Sequence, residues 1–204
     1  MTAPATADVR GGIKNWGGAL GNEVDGDCVA AAFEQLRKTH EVTKASSFKK
    51  VIYRLGFRPP HENYTLAVYT EFLATLGMLP GPDAGIDPDQ FFPWLLSKGM
   101  VKDWGKVPVS DVDACKQAMV DHHGCLLTVT LTPACIGSEA IPNGIWTVDT
   151  SNKNTTPNPQ MGHGIAWVKY NPEYDYAVTW GFVVLLTQEF WAGAVNGCYW
   201  FDLN

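Results

Sequence analysis

Cys28 opens a run of small apolar residues, Gly26-Asp27-Cys28-Val29-Ala30-Ala31-Ala32. A cysteine in the first turn of a helix sits in the partial positive charge of the helix N-terminus, which favours the reactive thiolate over the thiol. His163, in Met161-Gly162-His163-Gly164, enters a β-favouring run. An imidazole beside that sulfur can take its proton and later give it to a leaving group. Asn22 lies six residues before Cys28. Its side-chain amide, with the Cys28 backbone N–H, can donate to a developing oxyanion. Nucleophile, base and oxyanion donors are the working parts of acyl transfer. Singly, each residue has a plainer role. A cysteine among small helical residues is ordinarily a buried hydrophobe, a histidine entering a strand is ordinarily structural, and an asparagine between Gly21 and Glu23 is first of all a turn residue. Asp27, beside the sulfur, opposes thiolate formation.

The elements that must carry these residues follow from pattern. Apolar and small residues at helical spacing predict a buried helix over about 27–40, with Asp27 at the N-cap position. Further helices are expected at 64–77, ending at Gly77, at 91–98 with Gly99 beyond it, and at 111–122. From Cys125 the preference turns to strand: 125–131, 163–170, 174–180 and 181–187, with a long Gly/Pro/Asn/Ser loop over 137–161. The ending packs Phe190, Trp191, Tyr199, Trp200 and Phe201 together, as core and edge packing or as an assembly surface. Helices first and strands afterwards imply an α+β fold with an antiparallel sheet. Residues 1–15 are expected as a flexible arm. Residues 16–204 are expected as one domain, with a helical lobe over about 16–124 and a sheet lobe over about 125–204.

Composition narrows the function. The 204 residues carry 15 Lys and Arg against 21 Asp and Glu, a net charge of −6, which argues against a nucleic-acid partner. No apolar run approaches the roughly 20 residues that span a bilayer, and the start shows neither a basic nor an apolar signal region, so neither a membrane nor secretion is expected. The five cysteines, Cys28, Cys115, Cys125, Cys135 and Cys198, are odd in number and contain no CxxC pair, which speaks against structural zinc and a disulfide framework. Asp83, Asp87 and Asp89 around Gly85 imitate a calcium loop without its full pattern. His40, His61, His122 and His123 keep no ligand spacing. No metal and no cofactor is expected.

The order of these parts resembles the papain-like cysteine peptidases, in outline over residues 16–200. In that family the nucleophile opens a long central helix, as Cys28 does here. An oxyanion-hole Gln stands six residues earlier, where this chain has the shorter Asn22. The base enters a late strand, as in His163-Gly-Ile-Ala-Trp-Val-Lys-Tyr170. The family's third member lies in an Asn-Ser-Trp-Gly motif; this chain reads Val178-Thr179-Trp180-Gly181. Trp and Gly match, but Val178 stands in the Asn position and cannot hydrogen-bond. Thr179, one residue over, is expected on the opposite side of its strand. Thr179 or Asp175 is the candidate orienter of the imidazole, with Tyr176 or a backbone carbonyl as further substitutes. More closely, Trp16, Leu20-Gly21-Asn22, Gly26-Asp27-Cys28, Gly162-His163 and Thr179-Trp180-Gly181 resemble a papain-like group encoded by bacteriophages and prophages, mostly of undefined function.

The resemblance implies a helical lobe with a central helix starting at the cysteine, a β-sheet lobe, and a hydrolase of peptide or amide bonds. Catalysis would fall to Cys28, His163 and Asn22, acting on a peptide or protein in the host cytoplasm or the virion. The alternative it implies is a degenerate copy of the fold, serving as a virion structural or capsid decoration protein. Asp27, Val178, the aromatic ending and the Gly-rich N-terminal arm, which could drape over a neighbour, favour that alternative.

Overall fold

The computed structural model describes residues 2–22, 24–45, 62–81, 84–136 and 144–204. Among the described residues three helices lie in the N-terminal region: α1 (Cys28–Lys44), α2 (Glu62–Thr75) and α3 (Pro88–Ser97). Ala30, Ala31 and Ala32 let α1 lie close against its neighbours, and it is buried along most of its length. Two of its buried charged side chains are matched: Glu34 accepts from Arg37 at 2.6 and 2.8 Å, and Lys38 Nζ donates to the Asn15 carbonyl at 2.6 Å. Asp87 caps α3 through the Asp89 N–H at 2.9 Å, and Pro88 supplies a pre-set first turn. Asp89 pairs with Lys106 at 2.7 Å. Two of the acids that imitated a calcium loop therefore have other partners; Asp83 lies outside the described residues, as does His61.

The rest of the chain contributes β2 (Asp103–Val107), α4 (Val112–Asp121), β3 (Cys125–Thr130), β4 (Ile145–Trp146), β5 (Gly162–Tyr170), β6 (Asp175–Thr179), β7 (Phe182–Leu186), α5 (Gln188–Ala194) and β8 (Val195–Asp202). The sheet order is β2-β8-β3-β5-β6-β7-β4. Its pairings are antiparallel except β4 with β7. Period-2 alternation puts a core on each face. Leu126, Ala166, Val168, Val178 and Phe201 face α1, α2 and α3. Leu127, Ile165, Trp167, Ala177 and Val184 face the other way, toward α4 and α5. This is the expected α+β architecture: a long helix beginning at Cys28 and a largely antiparallel sheet.

Three features depart from the sequence reading. The N-terminal segment, expected as a flexible arm, is tied down. A two-residue strand, β1 (Ala7–Asp8), pairs with Tyr170 and Lys169 of β5, Tyr170 donates to the Pro4 carbonyl at 2.8 Å, and Ile13 and Trp16 are buried. Backbone pairing and two apolar anchors outweigh the Gly-rich composition. β2, reading Asp-Trp-Gly-Lys-Val, carries no clear alternation and forms because β8 offers it a partner along its whole length. α5 interrupts the strands, capped by Thr187, whose hydroxyl accepts the Phe190 N–H at 3.2 Å. The closing aromatics take the core and edge role expected of them: Phe190, Trp191, Tyr199 and Phe201 are buried and Trp200 is half-buried.

Candidate active site

Four short segments meet where α1 begins. The first is Cys28 itself, half-buried in the first turn of α1. Asp27 holds the N-cap position without a capping side-chain hydrogen bond. The second is the mouth of β5. A β-carbon on Gly164 would stand 3.0 Å from Val29 Cα and 3.1 Å from Val29 N, so only glycine lets this strand lie against the helix start. The backbone N–H groups of Gly164, Val29 and Cys28 itself favour a charge on the sulfur. The residue next to Gly164 is His163.

The third segment is the end of β6. His163 Nε2 lies 2.7 Å from Thr179 Oγ1 in a buried hydrogen bond. The Trp180 ring stacks on the imidazole, with centroids 4.6 Å apart and planes 24° from parallel. Thr179 is 2% exposed and His163 8%, so the bond is kept from water. The strand alternation that made Thr179 look misplaced is what places it. Val178 does face the α1 side, in the core with Val29 and Ala166. His163, though, shares the opposite face with Ile165 and Trp167, and Thr179 shares it with Ala177. The hydroxyl at 179 therefore replaces an amide at 178 as the group that meets the ring.

The fourth segment is the loop carrying Asn22. Gly181, with φ +81°, follows Trp180 in the turn between β6 and β7, and a β-carbon there would collide with the Gly18 backbone. This contact seats the loop before α1 against the turn that carries Trp180. Asn22 is half-buried, its N–H donating to the Ala19 carbonyl at 3.1 Å. The loop then runs directly into Asp27 and Cys28.

Asp175 is not part of this meeting. It starts β6, opposite Tyr170 and Leu186, whereas Thr179 ends the strand opposite Phe182. Four residues of extended chain separate the two by about 13 Å. Asp175 is therefore too far along the strand to orient His163. Tyr176 lies on the other face of the strand and is likewise no partner: its hydroxyl accepts from Asn171 at 3.0 Å.

Electrostatics set the resting state. Burial pushes the Cys28 thiol up to about 11, and the Asp27 carboxylate adds to the rise, against the pull of the backbone N–H groups. Burial holds the His163 imidazole down to about 4. At neutral pH the pair rests as thiol and neutral imidazole. Among the described residues His163 makes one side-chain hydrogen bond, to Thr179, and none to Cys28. Trp180 is the residue that sequence reasoning quoted as part of a motif without assigning it a task; the Trp-Gly pair was its signal.

A two-lobe α+β architecture, with a central helix opening at a cysteine and packed on a sheet that carries the histidine, is the papain-like cysteine-protease fold. Among solved structures the chain is similar to xylellain, a cysteine protease from Xylella fastidiosa, with a TM-score of 0.56 and 10% identity over 99% of this chain and 87% of that one. It also aligns with the digestive procathepsin L 3 of Tenebrio molitor larval midgut, at a TM-score of 0.49 and 12% identity over 100% of this chain and 71% of that one. A third is the Carica candamarcensis cysteine protease CMS1MS2, at a TM-score of 0.48 and 14% identity over 98% and 99%. No protein-family model and no curated protein matches the sequence. At 10% identity the likeness to xylellain supports the fold alone, and activity has to be argued from the residues.

Proposed function

We propose that the protein is a cysteine hydrolase of peptide or amide bonds, with Cys28 as nucleophile and His163 as base and then acid. The observation that carries this reading is the His163–Thr179 bond beneath Trp180, at a strand mouth whose next residue abuts the first turn of α1. In the tautomer that donates Nε2–H to Thr179, which this mechanism requires, Nδ1 is left with its lone pair. Nδ1 takes the thiol proton as the sulfur attacks the substrate carbonyl. The tetrahedral oxyanion is held by the Cys28 N–H and the Asn22 amide. Collapse expels the amine, which carries away the proton from the imidazolium and leaves a thioester on Cys28. Water, deprotonated by the same imidazole, releases the acid and restores the thiol. Thr179 and Trp180 orient and shield the ring. No cofactor enters these steps.

The substrate is a peptide or protein. The phage-like motifs support a setting in a bacteriophage or prophage, in the host cytoplasm or the virion. No described helix is long and apolar enough to cross a membrane. A second reading, a non-catalytic copy of the fold acting as a virion or capsid decoration component, is favoured by the resting charge state. A thiol held up near 11 and an imidazole held down near 4 make proton transfer between them steeply uphill until substrate and oxyanion donors act.

Turnover separates the readings. A panel of peptidyl aminocoumarin substrates should be cleaved by the wild-type protein and not by Cys28→Ala or His163→Ala. Residual cleavage equal in all three would overturn the hydrolase reading. No cleavage by any of them, with the protein abundant in purified virions, would establish the second.

A further inference from the structure

Three of the four cysteines outside the candidate active site meet in the interior, where α4 packs on β3 and β8. Cys115, Cys125 and Cys198 are each 0% exposed and belong to one apolar cluster. The Cys198 thiol contacts the thiols of both Cys115 and Cys125. Cys135 has another neighbour, its sulfur lying 3.2 Å from the Thr132 hydroxyl. All five cysteines are free thiols.

The two neighbours of Cys198 are not equivalent. In the β3–β8 register Cys198 lies opposite Leu127, so Cys125 is its diagonal neighbour, two residues along β3. Diagonal partners in an antiparallel pair stand about 7–8 Å apart, beyond the roughly 4.4–6.8 Å between α-carbons that a disulfide tolerates. Cys115 approaches from outside the sheet. It sits in the first turn of α4, its N–H donating to the Asp111 carbonyl at 3.0 Å and its sulfur 3.5 Å from the Pro108 carbonyl. A helix laid on a sheet carries no fixed diagonal spacing, and a bond of about 2.05 Å here draws together two sulfurs already in contact.

We propose that Cys115 and Cys198 are a latent disulfide pair, reduced in a chain that folds among thiols and bonded in one that folds in an oxidising setting, where the bond staples α4 to β8. The oxidant is a small disulfide such as oxidised glutathione. One protein thiolate attacks it, releasing one small thiol and leaving a mixed disulfide. The second protein thiolate then displaces the other small thiol. Two protein S–H bonds are lost and two small-molecule S–H bonds form, so protons and electrons balance. The exchange belongs to folding, before burial. In the folded chain the contact with Cys198 and burial push the Cys115 thiol up, and the interior keeps reagents from it. The pair is independent of the hydrolytic reading, which uses Cys28 alone among the cysteines.

Cell-free synthesis of the full chain, in reduced glutathione alone and in a mixture of reduced and oxidised glutathione, tests this by intact mass and non-reducing peptide mapping. The mixture should give a product with two hydrogens fewer, its map joining the peptides of Cys115 and Cys198. That product should melt about 5 °C or more above the reduced one. The same mixture added to folded, reduced protein should form the bond at least about 100-fold more slowly. Cys115→Ala should abolish the bond, and Cys125→Ala should keep it; the wild-type map decides should either variant fail to fold. Cysteines that are only unlinked or glutathione-capped, a Cys125–Cys198 link in the wild-type chain, a linked product that melts no higher than the reduced one, or equally fast oxidation of the folded chain would overturn the proposal.

Discussion

His163 Nε2 and Thr179 Oγ1 stand 2.7 Å apart under the face of Trp180. A neutral hydroxyl thus fixes the ring that an amide would otherwise fix. A neutral hydrogen bond of this kind contributes about 1 kcal/mol, and more where it selects a tautomer. Thr179→Val should lower kcat/KM by about 10-fold or more with little change in KM, while Thr179→Ser should stay within about threefold of wild type. Steady-state kinetics on one peptide substrate checks both. Equal activity of Thr179→Val and wild type would remove Thr179 from the site.

The thiol held near 11 has a direct signature. Because alkylation follows the thiolate fraction, the rate of Cys28 alkylation by iodoacetamide should climb through pH 7–10 without a neutral plateau. A preformed ion pair would instead give a plateau well below pH 7. Asp27→Asn, by removing the adjacent negative charge, should shift the curve to lower pH and speed alkylation at pH 8 about threefold or more.

Acid stability is set by buried histidines. His163 is held down to about 4 and His40 to about 3, both first by burial, against about 6.5 in an unfolded chain. Below pH 6.5 the unfolded chain binds more protons, so stability that is complete above 6.5 is lost as pH falls toward 4 and then 3. Asp175, pushed up to about 6 by burial, works the other way over part of that window. His40 stacks on Phe201 at 4.9 Å, and its Nε2 is buried without a partner. His40→Phe should therefore flatten the fall in urea midpoint between pH 7 and pH 4.5. A variant that falls as steeply as wild type contradicts the assignment.

The close approach at Gly164 predicts a packing defect that reaches the site. Gly164→Ala puts a β-carbon 3.0 Å from Val29 Cα, and overpacking of this kind costs about 1–3 kcal/mol. The melting temperature should drop by about 2–10 °C, and peptide turnover should fall further than stability alone accounts for.

Much of this was readable in the sequence because the signals were local. The small residues after Cys28, the β-favouring run His163–Tyr170 and the Gly-terminated helices each fix their own element. What failed was non-local. β2 takes its strand form from β8, and the N-terminal arm takes its order from β5. The orienting residue turned on which face of the sheet His163 uses, a fact set by α1 occupying the other face through Val29 and Gly164. Motif alignment left Val178 in the partner's place and Thr179 or Asp175 as substitutes; the fold brings Thr179 to the ring.

The most direct test concerns whether Cys28 and His163 work as a pair. Cys115, Cys125, Cys135 and Cys198 are all buried, so selective labelling of Cys28 would follow from exposure alone. Dependence on the imidazole is the discriminating quantity. The rate of covalent capture of Cys28 by an epoxysuccinyl peptide, followed by intact-mass spectrometry, should fall by about 100-fold or more in His163→Ala. Capture of the variant at the wild-type rate would contradict the account.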